Sequence, residues 1–304
     1  MQNTLNKKPR RPRGNFHQIR TPLLFLLPNT IIFVVFIIIP AIQGLRMSAM
    51  DWGIFTTPRF IGLRNFERLL RDRVFWITVK NTLVYSAATV ALLTLVALGL
   101  AMLLHKNERP GEKALRSAFY VPSLLSMITV GIAWRFILGD EMGIINYLLR
   151  SWGMDGVRWL TDANLAMVSV IFVSLWAQAG YYMVIMISGL QAIPRELYEA
   201  ARIDGAGRAQ GFWHITLPLL KSTVLVVMVL STISAFKAYE LITVMTNGGP
   251  GYATKLIVQQ VYQVAFMEDR LGYASAMSIA LMLIIGLFTL VQFKLSGGGE
   301  QDYE

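Results

Sequence analysis

Uncharged apolar runs alternate with short polar stretches along this chain, with a period set by membrane thickness rather than by helix amphipathicity. Charge-free runs occupy residues 21–45, 81–104, 117–134, 163–194, 222–236 and 271–293, the fifth continuing past Lys237 and Glu240. About 20 apolar residues wound as a helix cross a bilayer core, and inside lipid only a helix or a closed barrel satisfies its own backbone. The pattern therefore predicts an all-α polytopic membrane protein with six transmembrane helices. Pro28 and Pro40 bracket the first run, which is too long for a signal-peptide core and is read as a retained span.

One polar stretch departs from this rhythm. Leu197 to Leu219 reads as helix, glycine turn, helix. Pro194 suits a helix start, Glu196 and Glu199 suit the positive end of the helix dipole, and Gly205 closes the helix. A second helical stretch runs from Arg208 to Ile215, and Pro218 marks the start of the next apolar run. The loop of residues 194–218 is thus a folded element presented at one membrane face.

Composition agrees with the pattern. In 304 residues the hydrophobic share is 55% and mean hydropathy is +0.51, too apolar for a soluble domain of this size. The absence of cysteine excludes disulfides, thiol catalysis and cysteine-ligated metal, and His17, His105 and His214 are scattered among polar stretches, so a His-based metal site is not expected. A net charge of +10 raises the possibility of nucleic acid, but the basic residues gather at the ends of apolar runs, as topogenic charges do. Residues 1–20 carry Lys7, Lys8, Arg10, Arg11, Arg13 and Arg20 with no acid and read as a disordered cytoplasmic tail. Six spans then place both termini and the 194–218 loop in the cytoplasm. Arg46, Arg59, Arg64, Arg68, Arg71 and Arg73 run against that orientation, and a surface-lying helix with snorkelling arginines accounts for them.

Glu199, Ala200, Ala201, Gly205, Ile215, Leu217 and Pro218 carry a resemblance. In type and spacing they resemble the EAA loop of permease subunits in binding-protein-dependent ABC importers, where this loop is the cytoplasmic coupling helix docked on the ATPase. Phe60-Ile-Gly-Leu-Arg-Asn-Phe66 and Thr246-Asn-Gly-Gly-Pro-Gly251 are similar to segments of the carbohydrate (maltose or glycerol-phosphate) type, first permease of the pair. The resemblance covers residues 22–294 and implies a permease domain over 21–295, with 296–304 a disordered C-terminal tail. It also implies ATPase coupling through Glu199, Ala200, Ala201, Ile203, Asp204 and Gly205. The implied partners are a second permease forming a heterodimer, two copies of an ATP-binding subunit, and an extracytoplasmic solute-binding protein. A sugar or polyol would be the substrate, in the cytoplasmic membrane of a bacterium or archaeon, with lipid around it, no nucleic acid and no cofactor. An amphipathic helix lying on the bilayer is the competing reading of the loop, but Ala200, Ala201 and the glycines offer lipid little apolar area.

The chemistry of an enzyme is not written here. No Gly-x-x-x-x-Gly-Lys-Ser/Thr occurs, so ATP hydrolysis is expected in a partner chain, and no hydrolase triad or carboxylate pair is recognisable. An ion-coupled secondary transporter would keep ionisable groups inside its spans, and only Arg135, Lys237 and Glu240 come near. A permease for a non-sugar solute is the other alternative. Lys237 and Glu240, three apart, are expected on one helix face, either as an interfacial ion pair or, with Tyr239, along a substrate path. Trp134, Trp176, Tyr181 and Tyr182 are further path candidates, because sugars stack on flat apolar faces, against a plain role in an interfacial aromatic belt.

Overall fold

A computed structural model describes residues 16–105 and 110–295. Nearly every element is a helix, the exceptions being loops and a two-residue antiparallel pairing of β1 (Met50–Asp51) with β2 (Arg59–Phe60). Four helical segments are long and apolar enough to cross a membrane, or up to six if each of two bent pairs is one span. The first combines α1 (Phe16–Phe33), a π-turn (Val34–Ile38) and α2 (Ile39–Ser48). Its helix begins at Phe16, within the stretch expected to be a disordered tail, since no glycine or proline separates Phe16 from Arg20. Residues 1–15 and 296–304, the rest of the expected tails, lie outside the described residues.

A proline explains the π-turn. Pro40 lacks an N–H and crowds the preceding turn, and the residue before it, Ile39, donates to Val34 five residues back rather than four. The same device recurs before Pro218, where Leu217 donates to Phe212 across the π-turn Phe212–Thr216. In both places the wider turn keeps the helix continuous through a residue that would otherwise break it.

After the first span, α3 (Arg64–Arg71) leads into α4 (Arg73–Leu104), which starts ahead of its apolar run because Asp72 caps it, accepting from Val74 N at 2.8 Å. The α5 (Pro110–Tyr120) and α6 (Met127–Ile137) pair bends by 99° around the 3₁₀ turn Val121–Leu124. After α7 (Ile144–Ser151), the buried α8 (Leu165–Gln191) runs parallel to α4 along much of its length, Tyr85 meeting Ser174 towards one end and Leu93 to Leu104 sharing a core with Ala179 to Leu190 towards the other. Gly180 permits the crossing of α5 over α8, since a Cβ there would overlap the Phe119 carbonyl. The polar loop forms α9 (Arg195–Ile203), α10 (Arg208–Gly211) and α11 (Leu217–Leu219), followed by α12 (Lys221–Phe236) after a 63° bend. The short α13 (Glu240–Met245) packs on α6, and α14 (Ile257–Tyr262) with the π-turn Gln263–Met267 leads to α15 (Leu271–Leu295), which packs against α2, α3 and α12. The core lies between α4, α8 and α12, with Leu93, Met183, Met186 and Leu220 almost fully enclosed, while α1 leaves its apolar side chains exposed.

Candidate functional site

Two features stand out at opposite ends of α12. The first is the α9 hairpin. Pro194, extended at φ −58° and ψ 133°, caps α9 from just outside the helix, and Glu196 lies in the first turn with Arg202 in the last, matching the helix dipole. Gly205 at φ +82° lets the chain reverse: its N–H reaches Arg202 O at 3.1 Å, and Ala206 N–H reaches Ala201 O at 2.8 Å. This is a Schellman closure, which needs a residue at ease in the left-handed region. The hairpin is held to the body by Tyr198, whose hydroxyl meets Thr216 Oγ1 at 2.8 Å. Of the six expected coupling residues, Glu199, Ala200, Ile203, Asp204 and Gly205 are exposed and Ala201 is half-buried. Ile203 is 86% exposed at the tip, and no residue of α9 is buried.

The second feature is a cavity of about 390 Å³ between α4, α6, α8 and the end of α12. Its polar lining consists of Tyr85, Ser174, Gln178, Ser234, Lys237, Tyr239 and Glu240. Tyr85 Oη and Ser174 Oγ are 2.8 Å apart, and Ser234 Oγ donates to Gln178 Oε1 at 3.3 Å, so neighbouring helices meet here through side-chain hydrogen bonds. Met127, Leu230, Ile233 and Leu241 supply the apolar part. Hydroxyls and an amide beside apolar surface suit a neutral polyhydroxylated solute, which needs both.

Lys237 and Glu240 do not share a helix face. The helix stops at Phe236, Tyr239 leaves the helical region at φ −142°, and a new helix opens at Glu240, because the chain turns there to lay α13 on α6. Nor do they pair: among the described residues the ion pair is Arg270 with Glu268, at 3.7 Å. Both are exposed and border the cavity together with Tyr239. Trp134, Trp176, Tyr181 and Tyr182 are not in its lining. Trp134 stands edge-on to Trp176 at 5.4 Å, and Tyr181 edge-on to Tyr182 at 5.1 Å, with Tyr182 buried in the core. Tyr85, Ser174, Gln178 and Ser234 escaped the reading of the sequence, although polar residues at helical spacing within apolar runs, such as Ser174 and Gln178, are the signal that reveals such a lining.

The segments 60–66 and 246–251 are structural. Asn65 donates to Ser48 O at 2.8 Å and Met50 O at 2.9 Å, tying the loop to the end of the first span. The 246–251 turn, with Asn247, Gly248 and Gly251 at positive φ, is closed by Thr254 donating to Gly249 O at 2.8 Å. Asn81 of α4 donates to Tyr252 O and Lys255 O just beyond it. Lys255, beside this turn, has its pKa lowered by burial, opposed by the nearby Glu268 carboxylate. Among the described residues no cluster of three or more His, Asp or Glu is placed to hold a metal ion.

Residues 21–296 match the family described as binding-protein-dependent transport system inner membrane component. A Bacillus subtilis protein, probable ABC transporter permease protein YurN, is 36% identical over 285 residues, spanning 92% of this chain and 97% of that one. The trehalose/maltose transport system permease protein MalF of Thermococcus litoralis is 33% identical over 282 residues, spanning 92% and 95%. Among solved structures, a bacterial ABC transporter involved in the import of the acidic polysaccharide alginate superposes with a TM-score of 0.81 at 25% identity, over 92% of this chain and 96% of that one. With the family match running through both the α9 hairpin and the cavity, this chain belongs to the inner-membrane permeases of binding-protein-dependent ABC importers.

Proposed function

We propose that this chain is a six-span permease subunit forming the translocation path for a sugar or related polyol, with α9 as the helix that couples it to an ATPase. The observation that carries the reading is the α9 hairpin: a helix with no buried residue, fixed in shape by a Schellman closure and presenting Ile203 to its surroundings, placed between two apolar segments. An isolated helix of this length is marginal in water, so a rigid exposed one calls for a partner surface. In the proposal each bent pair is one span, both termini and α9 face the cytoplasm, and Glu199 meets a basic residue of the ATPase. Ala200, Ala201 and Ile203 fill the ATPase cleft, and Asp204 and Gly205 set the turn. The assembly is a heterodimer of permeases with two ATPase copies. An external binding protein delivers the substrate, and ATP-dependent closure shifts the population between outward- and inward-open states.

The cavity residues Lys237, Tyr239 and Glu240 contact the substrate in this reading, and Trp134, Trp176, Tyr181 and Tyr182 shape the helices around it. The hydroxyl and amide lining supports a saccharide, as do the trehalose/maltose relative and the alginate importer. A ligand panel on the partner solute-binding protein, read as a thermal shift, tests the substrate class. Stabilisation by saccharides is expected; stabilisation by amino acids or phosphate alone overturns it.

A further inference from the structure

The helix α3 has two unlike faces. Asn65 and Leu69 are buried and Phe66 packs against the core, whereas Arg64, Arg68 and Arg71 recur at i, i+4 and i+7 on the opposite face and are all exposed. None of the three has an ion-pair partner among the described residues, where the ion pair is Arg270 with Glu268. Glu67, exposed on the same helix, offsets part of the repulsion among the arginines, and the stripe keeps a net positive charge that favours something anionic lying against it.

The position of α3 says what that is. Asn65 bolts it to the carbonyls of Ser48 and Met50 where the first apolar segment ends. At its other end Asp72 caps α4 and accepts from the Tyr273 hydroxyl at 2.7 Å, at the start of α15. The helix therefore lies at the level where three membrane segments leave the apolar layer. Apolar side chains share that level: Leu63 is 70% exposed, Leu70 65% and Trp76 48%, and Trp76 Nε1 donates to Leu70 O at 3.0 Å. A face meeting only water gains nothing from leaving leucines uncovered. Guanidiniums beside leucines and an indole fit a headgroup boundary, where the apolar parts enter the chain region and the positive charges snorkel to phosphate oxygens.

We propose that α3 is an interfacial clamp for anionic phospholipid, with Arg64, Arg68 and Arg71 holding lipid phosphates and Leu63, Leu70 and Trp76 seated among the upper acyl carbons. This does not depend on which substrate is carried, or on which way the chain faces. It also explains why a basic stretch persists at this membrane face.

The test is native mass spectrometry of the full chain in its transporter complex, titrated with phosphatidylglycerol and, separately, phosphatidylethanolamine. The unaltered protein is expected to prefer phosphatidylglycerol. In R64Q/R68Q/R71Q that affinity should fall on the order of 100-fold if each arginine acts like a juxtamembrane cation, while R64K/R68K/R71K stays within about threefold. A fall under about threefold in the glutamine variant, or an equal fall in the lysine variant, overturns the clamp. Should the triple variant fail to purify, the single glutamine variants replace it, each expected to lose about threefold or more. Solute-binding-protein affinity is measured in parallel in nanodiscs of zwitterionic lipid. It should not change; a loss there with lipid preference intact assigns the stripe to protein docking and also overturns the proposal.

Discussion

At Gly205 the φ of +82° excludes proline outright, and the N–H that proline would remove is the one bonded to Arg202 O. Gly205→Pro should therefore abolish ATP-driven uptake in proteoliposomes while the protein still reaches the membrane. Gly205→Asn, which tolerates the left-handed region, should retain most activity. Normal uptake in the proline variant would show that the hairpin is not the coupling element. Gly180 has the opposite problem, since it lacks room rather than needing an unusual φ. A Cβ overlaps the Phe119 carbonyl, so Gly180→Ala should cost about 1–3 kcal/mol through overpacking, seen as a lower melting temperature and poorer recovery after extraction. Gly99→Ala, with nothing within 4 Å of its Cβ position, is the control and should melt like the unaltered protein.

Among the elements, the break between α12 and α13 matters most. If it had continued as one helix, Lys237 and Glu240 would lie on one face and satisfy each other. Because the chain turns, both border the cavity and remain unpaired with each other. In the proposed path each would offer a charged group to a substrate hydroxyl, a hydrogen bond worth about 1.5–3 kcal/mol. The double variant K237M/E240Q should slow uptake by roughly tenfold or more, with expression and binding-protein docking unchanged. Uptake kinetics equal to those of the unaltered protein would remove the pair from the path. The two proline-associated π-turns make a related point at this scale, since a helix interrupted by proline keeps its continuity by widening one turn.

For the whole molecule, orientation is the property most open to direct test, and the chain has no native cysteine to give background. Cysteines placed at Asn3 and Ala206 should be shielded from an impermeant thiol reagent in intact cells, while one at Tyr252 should react; labelling at 206 from outside would invert the proposed topology. The apolar runs, the EAA spacing and Gly205 were legible in the sequence because each rests on local physics: a helix must hydrogen-bond itself inside lipid, and a tight reversal needs a residue at ease at positive φ. The same holds for the arginine stripe, whose i, i+4, i+7 spacing is a property of eight consecutive residues. The cavity was not legible, because Tyr85, Ser174, Gln178 and Ser234 come from three helices and meet only when α4, α8 and α12 pack together. Nor was the turn at Tyr239, where no glycine or proline marks a break and the packing of α13 on α6 outweighs helix continuity. Local propensity and solvent partition determined which segments are helices in a membrane; long-range packing alone decided which polar side chains among them face one another.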